Sequence, residues 1–190
     1  AVSRAADFVE VGRNGFIRRG WRTAMRALYP PEFFPWITER QPIAWGRVLV
    51  FGFSWLVIWA GAVFGPVGLD VVPGARGFGS VLMWLSLVQG AYLLAAWALS
   101  MVLMWVFTLS WFRRPRQGAS FGHLVRLGVY GAGGLMAAHA MMCVAQAALM
   151  MLSWATSAGP FALLLVPMWL FLGICVWVWS VLWCVSAVQD

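Results

Sequence analysis

Residues 124–154 read LVRLGVYGAGGLMAAHAMMCVAQAALMMLSW, and this stretch decides the fold because it holds no acid and only one arginine. A hydrocarbon core about 30 Å thick is crossed by about 20 helical residues. The stretch exceeds that length but is too short for two crossings joined by a turn. We therefore predict one long membrane helix here, tilted or projecting from the bilayer.

The rest of the chain has the same apolar character. Of its 190 residues, 63% are hydrophobic and 10% are charged, too few polar side chains to cover a soluble domain of this size. Three further apolar segments occupy residues 43–64, 81–112 and 161–188. The sequence thus predicts an all-α integral membrane protein. Four transmembrane helices, about 43–64, 81–112, 124–154 and 161–188, make a domain over 43–190, and a separate segment covers 1–42.

The arginines predict how these helices are oriented. All thirteen basic residues are arginines, and Arg76 alone falls on the far side of a four-span arrangement. Because arginine-rich segments stay on the cytoplasmic side, we expect both termini and the 113–123 loop there, in a bacterial inner membrane. The net charge of +7 predicts anionic lipid head groups, rather than nucleic acid, as partners of the basic side chains.

The segment 1–42 contains a basic amphipathic helix. In FIRRGWRTAMRALYPP, residues 16–31, the residues Ile17, Trp21, Met25 and Leu28 share one face and alternate with an arginine face. Such a helix is expected in the head-group plane, and docking on an acidic partner surface is the alternative. The predicted head-group ligands are Arg18, Arg19, Arg22 and Arg26. Phe33, Phe34 and Trp36 are predicted to anchor the following chain at the membrane interface.

Two helices carry faces that are typical of helix–helix packing. On the segment 81–112, Ser86, Gln89, Tyr92 and Ser100 lie within about 60° of Gln89 at about 100° per residue, and Ala96 joins them. On the segment 124–154, small residues line a groove suited to close approach of another helix. The predicted packing residues are Gln89, Ser100, Gly131, Gly134 and Ala138.

The segment 124–154 also carries a polar stripe, composed of His139, Gln146, Met150, Cys143 and Met136, near its middle. Sulfur and imidazole ligands suit copper(I), a lone imidazole can be an axial ligand of haem or of a chlorophyll-type pigment, and a buried histidine can relay protons. However, no second deep histidine and no acid lies within a span. The favoured interpretation is therefore packing without a cofactor, with His139 donating to a backbone carbonyl or to Gln89. If a cofactor is bound, its predicted ligands are His139, Met136, Cys143 and Gln146.

Recognisable enzyme motifs are missing from the sequence, which contains neither a nucleophile elbow nor a zinc-protease or phosphate-binding loop motif. We therefore expect a non-catalytic accessory or scaffold subunit of a larger membrane complex, with an energy-transducing complex among the candidates. Its expected partners are membrane lipids, pigments and other membrane subunits. The alternative is a small transport or cofactor-binding membrane protein that uses the His139 stripe.

Overall fold

The computed structural model describes residues 15–29, 33, 42–71, 77–111, 121–156, 173–176 and 178–182. Its elements are helices α1 (Phe16–Ala27), α2 (Trp45–Phe64), α3 (Phe78–Trp111) and α4 (Phe121–Thr156), with a 3-10 helix Gly65–Val71 after α2. Three helical stretches are long and apolar enough to cross a membrane: Trp45–Val71, Gly79–Leu103 and Gly122–Leu152. The structure thus confirms the predicted helical bundle, with apolar helices that are compatible with a membrane protein.

The fourth predicted span, 161–188, lies largely outside the described residues. Within it a shorter apolar helix covers Gly173–Leu182. The count of four spans therefore stays a prediction. In contrast, the predicted segments 81–112 and 124–154 each correspond to one uninterrupted helix, of 34 residues in α3 and 36 residues in α4.

Helices α2 and α4 run side by side in the same direction. An added Cβ at Gly122, at the start of α4, would lie 3.2 Å from the Trp45 indole at the start of α2. Farther along both helices, Trp59 contacts His139. Helix α3 runs the opposite way, because its Trp97 bonds to Gly128 early in α4 whereas its earlier residue Gly90 lies against His139.

A capped turn joins α2 to α3. The Asp70 carboxylate, at the end of the 3-10 helix, accepts hydrogen bonds from the backbone N–H of Gly79 at 2.7 Å and of Ser80 at 3.0 Å, and also from the Ser80 hydroxyl. These are the free N–H groups of the first turn of α3, where negative charge is stabilising. The cap fixes the start of α3 against the end of α2.

Helix α1 packs across α2 and α4 through a third face that the sequence pattern did not predict. The buried residues are the small ones, Gly20, Thr23, Ala24 and Ala27. Their size lets the helices approach closely: an added Cβ at Gly134 would lie 3.1 Å from the Ala24 carbonyl oxygen. Of the predicted apolar face, Ile17 is 87% exposed, whereas Met25 packs against the core of the bundle.

Helix α1 crosses the bundle well beyond the first turns of α2. The Trp21 ring lies 5.8 Å from that of Trp55, and Trp55 comes ten residues after Trp45, about 15 Å along the helix. The indole of Trp179, from the Gly173–Leu182 helix, donates to the Ala27 carbonyl oxygen at 3.2 Å. A head-group location for α1, which stays a prediction, would place the membrane boundary beyond the first turns of α2.

An aromatic cluster fills the core between α2 and α4. The rings of Phe51 and Tyr130 meet edge to face at 5.3 Å, and Phe33 meets Tyr130 in the same way at 5.8 Å. Phe33 is fully buried, so its predicted role as a membrane-interface anchor is wrong. The reason is that Tyr130 offers it an edge-to-face partner inside the protein. Phe34 and Trp36 lie outside the described residues.

Candidate functional site: the polar stripe of α4

His139 lies near the middle of α4 with 1% of its surface exposed. The Trp59 indole N–H of α2 donates to its Nδ1 at 2.7 Å, and the two rings are tilted by 41° with centroids 6.1 Å apart. A short bond of this kind between two deep side chains ties α2 to α4. Because Nδ1 is the acceptor, a neutral His139 ring carries its proton on Nε2.

The other nitrogen of His139 faces the next turn of its own helix. Nε2 lies 3.5 Å from the Cys143 sulfur, within the range of a hydrogen bond to sulfur, and Cys143 is 2% exposed. On α3, the buried Ser86 lies near the same thiol. A chain of hydrogen bonds therefore runs from Trp59 through His139 to Cys143 and links α2 to α4.

This arrangement decides what His139 can do chemically. A metal or a haem iron binds the lone pair of a neutral imidazole nitrogen, and the lone pair on Nδ1 is taken by Trp59. Ligation through Nδ1 would break a buried hydrogen bond and leave the indole N–H without a partner, which is costly. Ligation through Nε2 would require the ring to give up Cys143 and exchange its tautomer.

The predicted bond from His139 to Gln89 or to a backbone carbonyl is wrong. Helix α3 presents Gly90 to the ring instead: an added Cβ there would lie 3.3 Å from His139 Cε1 and 2.7 Å from Trp59 Cζ2. The absence of a side chain at Gly90 leaves the space in which the indole reaches the imidazole. Gln89 points elsewhere, and both its side-chain polar atoms are buried without a partner.

The remaining residues of the polar stripe have separate environments. The Gln146 side chain is fully buried, and neither its oxygen nor its nitrogen has a hydrogen-bond partner. Met136 is partly buried and lines two adjoining apolar cavities. The structure therefore brings His139 and Cys143 together, places Met136 nearby, and leaves Gln146 outside the chain of hydrogen bonds.

The predicted packing residues differ in the contacts that they make. Gly131 and Gly134 are buried and Ala138 is partly buried, with Gly134 against α1 as described above. The Ser100 hydroxyl donates to the Ala96 carbonyl oxygen of its own helix at 2.7 Å. Of the predicted head-group ligands, Arg18 is exposed, whereas Arg19, Arg22 and Arg26 are partly exposed.

Two adjoining cavities lie beside this site. The larger, about 640 Å³, runs between α2 and α3 along one face of α4. The smaller, about 60 Å³, ends at Trp59 and His139. Leu56, Trp97, Ala132 and Met136 line both. The wall of the larger cavity consists of aliphatic, aromatic and glycine residues, and its Trp97 N–H is already bonded to the Gly128 carbonyl oxygen at 3.2 Å.

The hydrogen bond from Trp59 to His139 was not predicted from the sequence. A signal was present, because Trp59 and His139 lie at nearly equal distances from the arginine-rich ends of their segments, which start at residues 43 and 124. Equal depth alone does not say which helix faces which, so the pair could not be deduced. Within the described residues, no group of three or more histidine, cysteine or acidic side chains could hold a metal ion.

Comparisons of the chain with protein-family models, with curated proteins and with solved structures found no match.

Proposed function

We propose that this protein is a non-catalytic accessory or scaffold subunit of a larger membrane complex. The observation that carries the proposal is that both ring nitrogens of His139 already have partners within the protein. Nδ1 accepts from Trp59, and Nε2 lies against the Cys143 sulfur. His139, near the middle of α4, then joins helices instead of binding substrate or metal. An intramembrane polar residue is by default a functional candidate, and this one has a structural task.

The surface of the bundle supports the same proposal. The most apolar windows of the three candidate spans are only 22%, 28% and 33% buried within the chain. Large side chains such as Phe53, at 66% exposed, and Trp84, at 64% exposed, project outward. Lipid chains cover some of these faces, and helices of partner subunits cover the others. A chain in an energy-transducing complex would use them in this way.

The proposed setting is a bacterial inner membrane with both termini on the cytoplasmic side. Arg18, Arg19, Arg22 and Arg26 then face anionic head groups, which attract basic side chains near the surface. Nucleic acid is not a proposed partner. The support for this orientation is the distribution of arginines in the sequence, as argued above from the positive-inside rule.

The test is the mass of the native assembly. The tagged protein, expressed at its natural level and extracted in a mild detergent, should migrate on a native gel in a complex much heavier than its 21.0 kDa. The variant His139→Leu should still join that complex if the bundle folds. Migration of the wild-type protein as a stable monomer would rule out the subunit proposal.

A second candidate function is a cofactor-binding or transport protein that uses the His139 stripe. The observation in its favour is the cavity of about 60 Å³ next to the ring, which leaves room for a ligand atom or a water molecule. An absorbance spectrum and metal analysis of the purified protein test this function. A haem or pigment band that disappears in His139→Leu but persists in Trp84→Phe would support it, and absence of any chromophore or metal would exclude it.

A further inference from the structure

We propose that the seam between α3 and α4 holds a short row of ordered water molecules between the side chains of Gln89 and Gln146. Both glutamines are completely buried. Within the part of the chain that the structure describes, neither the nitrogen nor the oxygen of either amide has a hydrogen-bond partner. The proposed site lies inside this chain, so it is independent of the partner subunits proposed above.

The two glutamines lie on either side of the point where Ser86 of α3 comes near Cys143 of α4. Gln89 follows Ser86 by three residues, and Gln146 follows Cys143 by three residues, so each glutamine shares a helix face with its neighbour. Because α3 and α4 are antiparallel, these two steps lead in opposite directions along the seam. At about 1.5 Å per residue, the two glutamines are therefore about 9 Å apart along the seam, with Ser86 and Cys143 between them.

Buried amides without partners are costly at this depth, and water removes the cost. Each glutamine amide has two N–H donors and an oxygen with two lone pairs, and hydrocarbon offers a partner to none of them. A buried water molecule typically makes about three hydrogen bonds to polar groups of this kind. A row of water molecules therefore satisfies both amides, and it passes the Ser86 hydroxyl and the Cys143 thiol between them.

The side chains along the row favour water over an ion. Ser86 and Cys143, at its midpoint, are small and buried, and they offer a hydroxyl and a thiol. An ion would need a compensating charge, because burying an unpaired charge costs far more than burying a neutral polar group. Leu82 and Leu93 lie one turn beyond Ser86 and Gln89 on α3 and are also buried. They close the row along α3, so the water is trapped in the seam.

Water-edited solid-state NMR of the isotope-labelled full chain in lipid bilayers tests the site. Magnetisation from water should reach the side-chain amide groups of Gln89 and Gln146, each assigned through its backbone connectivity. The backbone N–H of Gly68, an exposed position of the 3-10 helix, is the positive control. The backbone N–H of Leu127, which is buried in α4, is the negative control. Transfer to Gly68 without transfer to either glutamine amide would overturn the proposal.

Single replacements show whether the two amides share one row. Methionine is unbranched and adaptable in packing but has no amide, so Gln146→Met should reduce the transfer from water to Gln89, and Gln89→Met should reduce the transfer to Gln146. Ser100→Ala is the matched control, because this buried hydroxyl of α3 donates to the Ala96 carbonyl oxygen of its own helix. It should leave both transfers unchanged.

An unchanged transfer to Gln89 in a folded Gln146→Met protein would overturn the shared row, and so would an equal loss in Ser100→Ala. The wild-type measurement decides whether water is present even where a variant fails to fold. Because these experiments use the isolated chain, their outcome does not depend on whether a larger complex exists.

Discussion

The bond between Trp59 and His139 shows how a single residue pair can hold two membrane helices in register. In hydrocarbon there is no water to satisfy the indole N–H or the imidazole, so each side chain depends on the other. The measured contribution of such bonds is nevertheless modest, about 0.6 kcal/mol on average and at most about 1.7 kcal/mol, because the unfolded chain in the membrane also finds partners. The pair therefore fixes geometry more than it determines total stability.

A double-mutant cycle with Trp59→Phe and His139→Leu measures this bond. Each single variant should lower the free energy of unfolding, and we expect a coupling energy of about 0.6 kcal/mol. Reversible unfolding in mixed detergent micelles gives the values. Trp84→Phe, an indole of α3 that is 64% exposed, is the control and should change little. If the two single effects simply add, Trp59 and His139 are not bonded in the folded protein.

At the residue scale, the depth of His139 in the membrane could be predicted from the sequence, but its hydrogen-bond partner Trp59 could not. A histidine in the middle of an apolar stretch must be deep because hydrocarbon thickness fixes the span. Which residue bonds to His139 depends on how α2 is rotated about its axis, and no sequence pattern in α2 indicates that rotation. Gly90 makes room for the Trp59–His139 bond because it has no side chain. A single sequence does not show why a glycine is needed at that position. Cys143 was predicted to share the stripe, since it follows one turn after His139.

At the scale of elements, Gly77 and the 3-10 helix Gly65–Val71 position the start of α3 against the end of α2. Gly77 has a φ of 87°, a left-handed conformation that glycine adopts without strain, and α3 begins directly after it. A Cβ at Gly79 would overlap the Pro66 carbonyl oxygen, a backbone atom that cannot move aside alone. The Asp70 cap and the close approach of Pro66 to Gly79 therefore both fix the start of α3 against the 3-10 helix.

Replacing Gly79 by alanine should destabilise this turn by about 1–3 kcal/mol, the usual cost of forcing extra atoms into a packed site. The matched control is Gly61→Ala in α2, where an added Cβ meets nothing within 4 Å. There the higher helix propensity of alanine should stabilise the protein by up to about 1 kcal/mol. Thermal or detergent unfolding of both variants checks the prediction. Equal effects of the two alanines would mean that Pro66 does not approach Gly79.

The helices themselves could be predicted because apolar length is a direct consequence of membrane thickness. The segments 81–112 and 124–154 appear as single helices with nearly the predicted bounds. The cap could not be predicted, since Asp70 reaches residues 79 and 80 through space. The small-residue face of α1 was also missed. The alternation of arginines with large apolar residues dominates that sequence, and no prediction was made for the small residues Gly20 and Ala24 between them.

At the scale of the whole molecule, α3 and α4 are longer than the membrane requires. Helices of 34 and 36 residues measure about 51 and 54 Å at about 1.5 Å per residue, against a core of about 30 Å. Helix α1 crosses the bundle near Gly134, thirteen residues after the start of α4. If α1 lies at the head groups, as the sequence predicts, the excess length of α3 and α4 falls on the arginine side of the membrane.

The orientation of the whole chain can be tested with an impermeant thiol reagent. Single cysteines are introduced by Gly68→Cys, Arg18→Cys and Asp190→Cys after Cys175 and Cys184 are changed to serine. Cys143, at 2% exposed, remains in place and serves as the unlabelled background. Gly68 is an exposed position of the 3-10 helix with no heavy atom near an added Cβ, so the change there is tolerated.

We expect Gly68→Cys to react in intact cells, whereas Arg18→Cys and Asp190→Cys react only after the membrane is opened. The physical reason is that arginine-rich segments resist transfer across the bilayer, which keeps α1 inside and leaves the capped turn outside. An even number of spans then returns the chain to the inner side before Asp190. Labelling of Asp190→Cys in intact cells would instead mean three spans, and labelling of Arg18→Cys there would show that the arginines do not set the orientation.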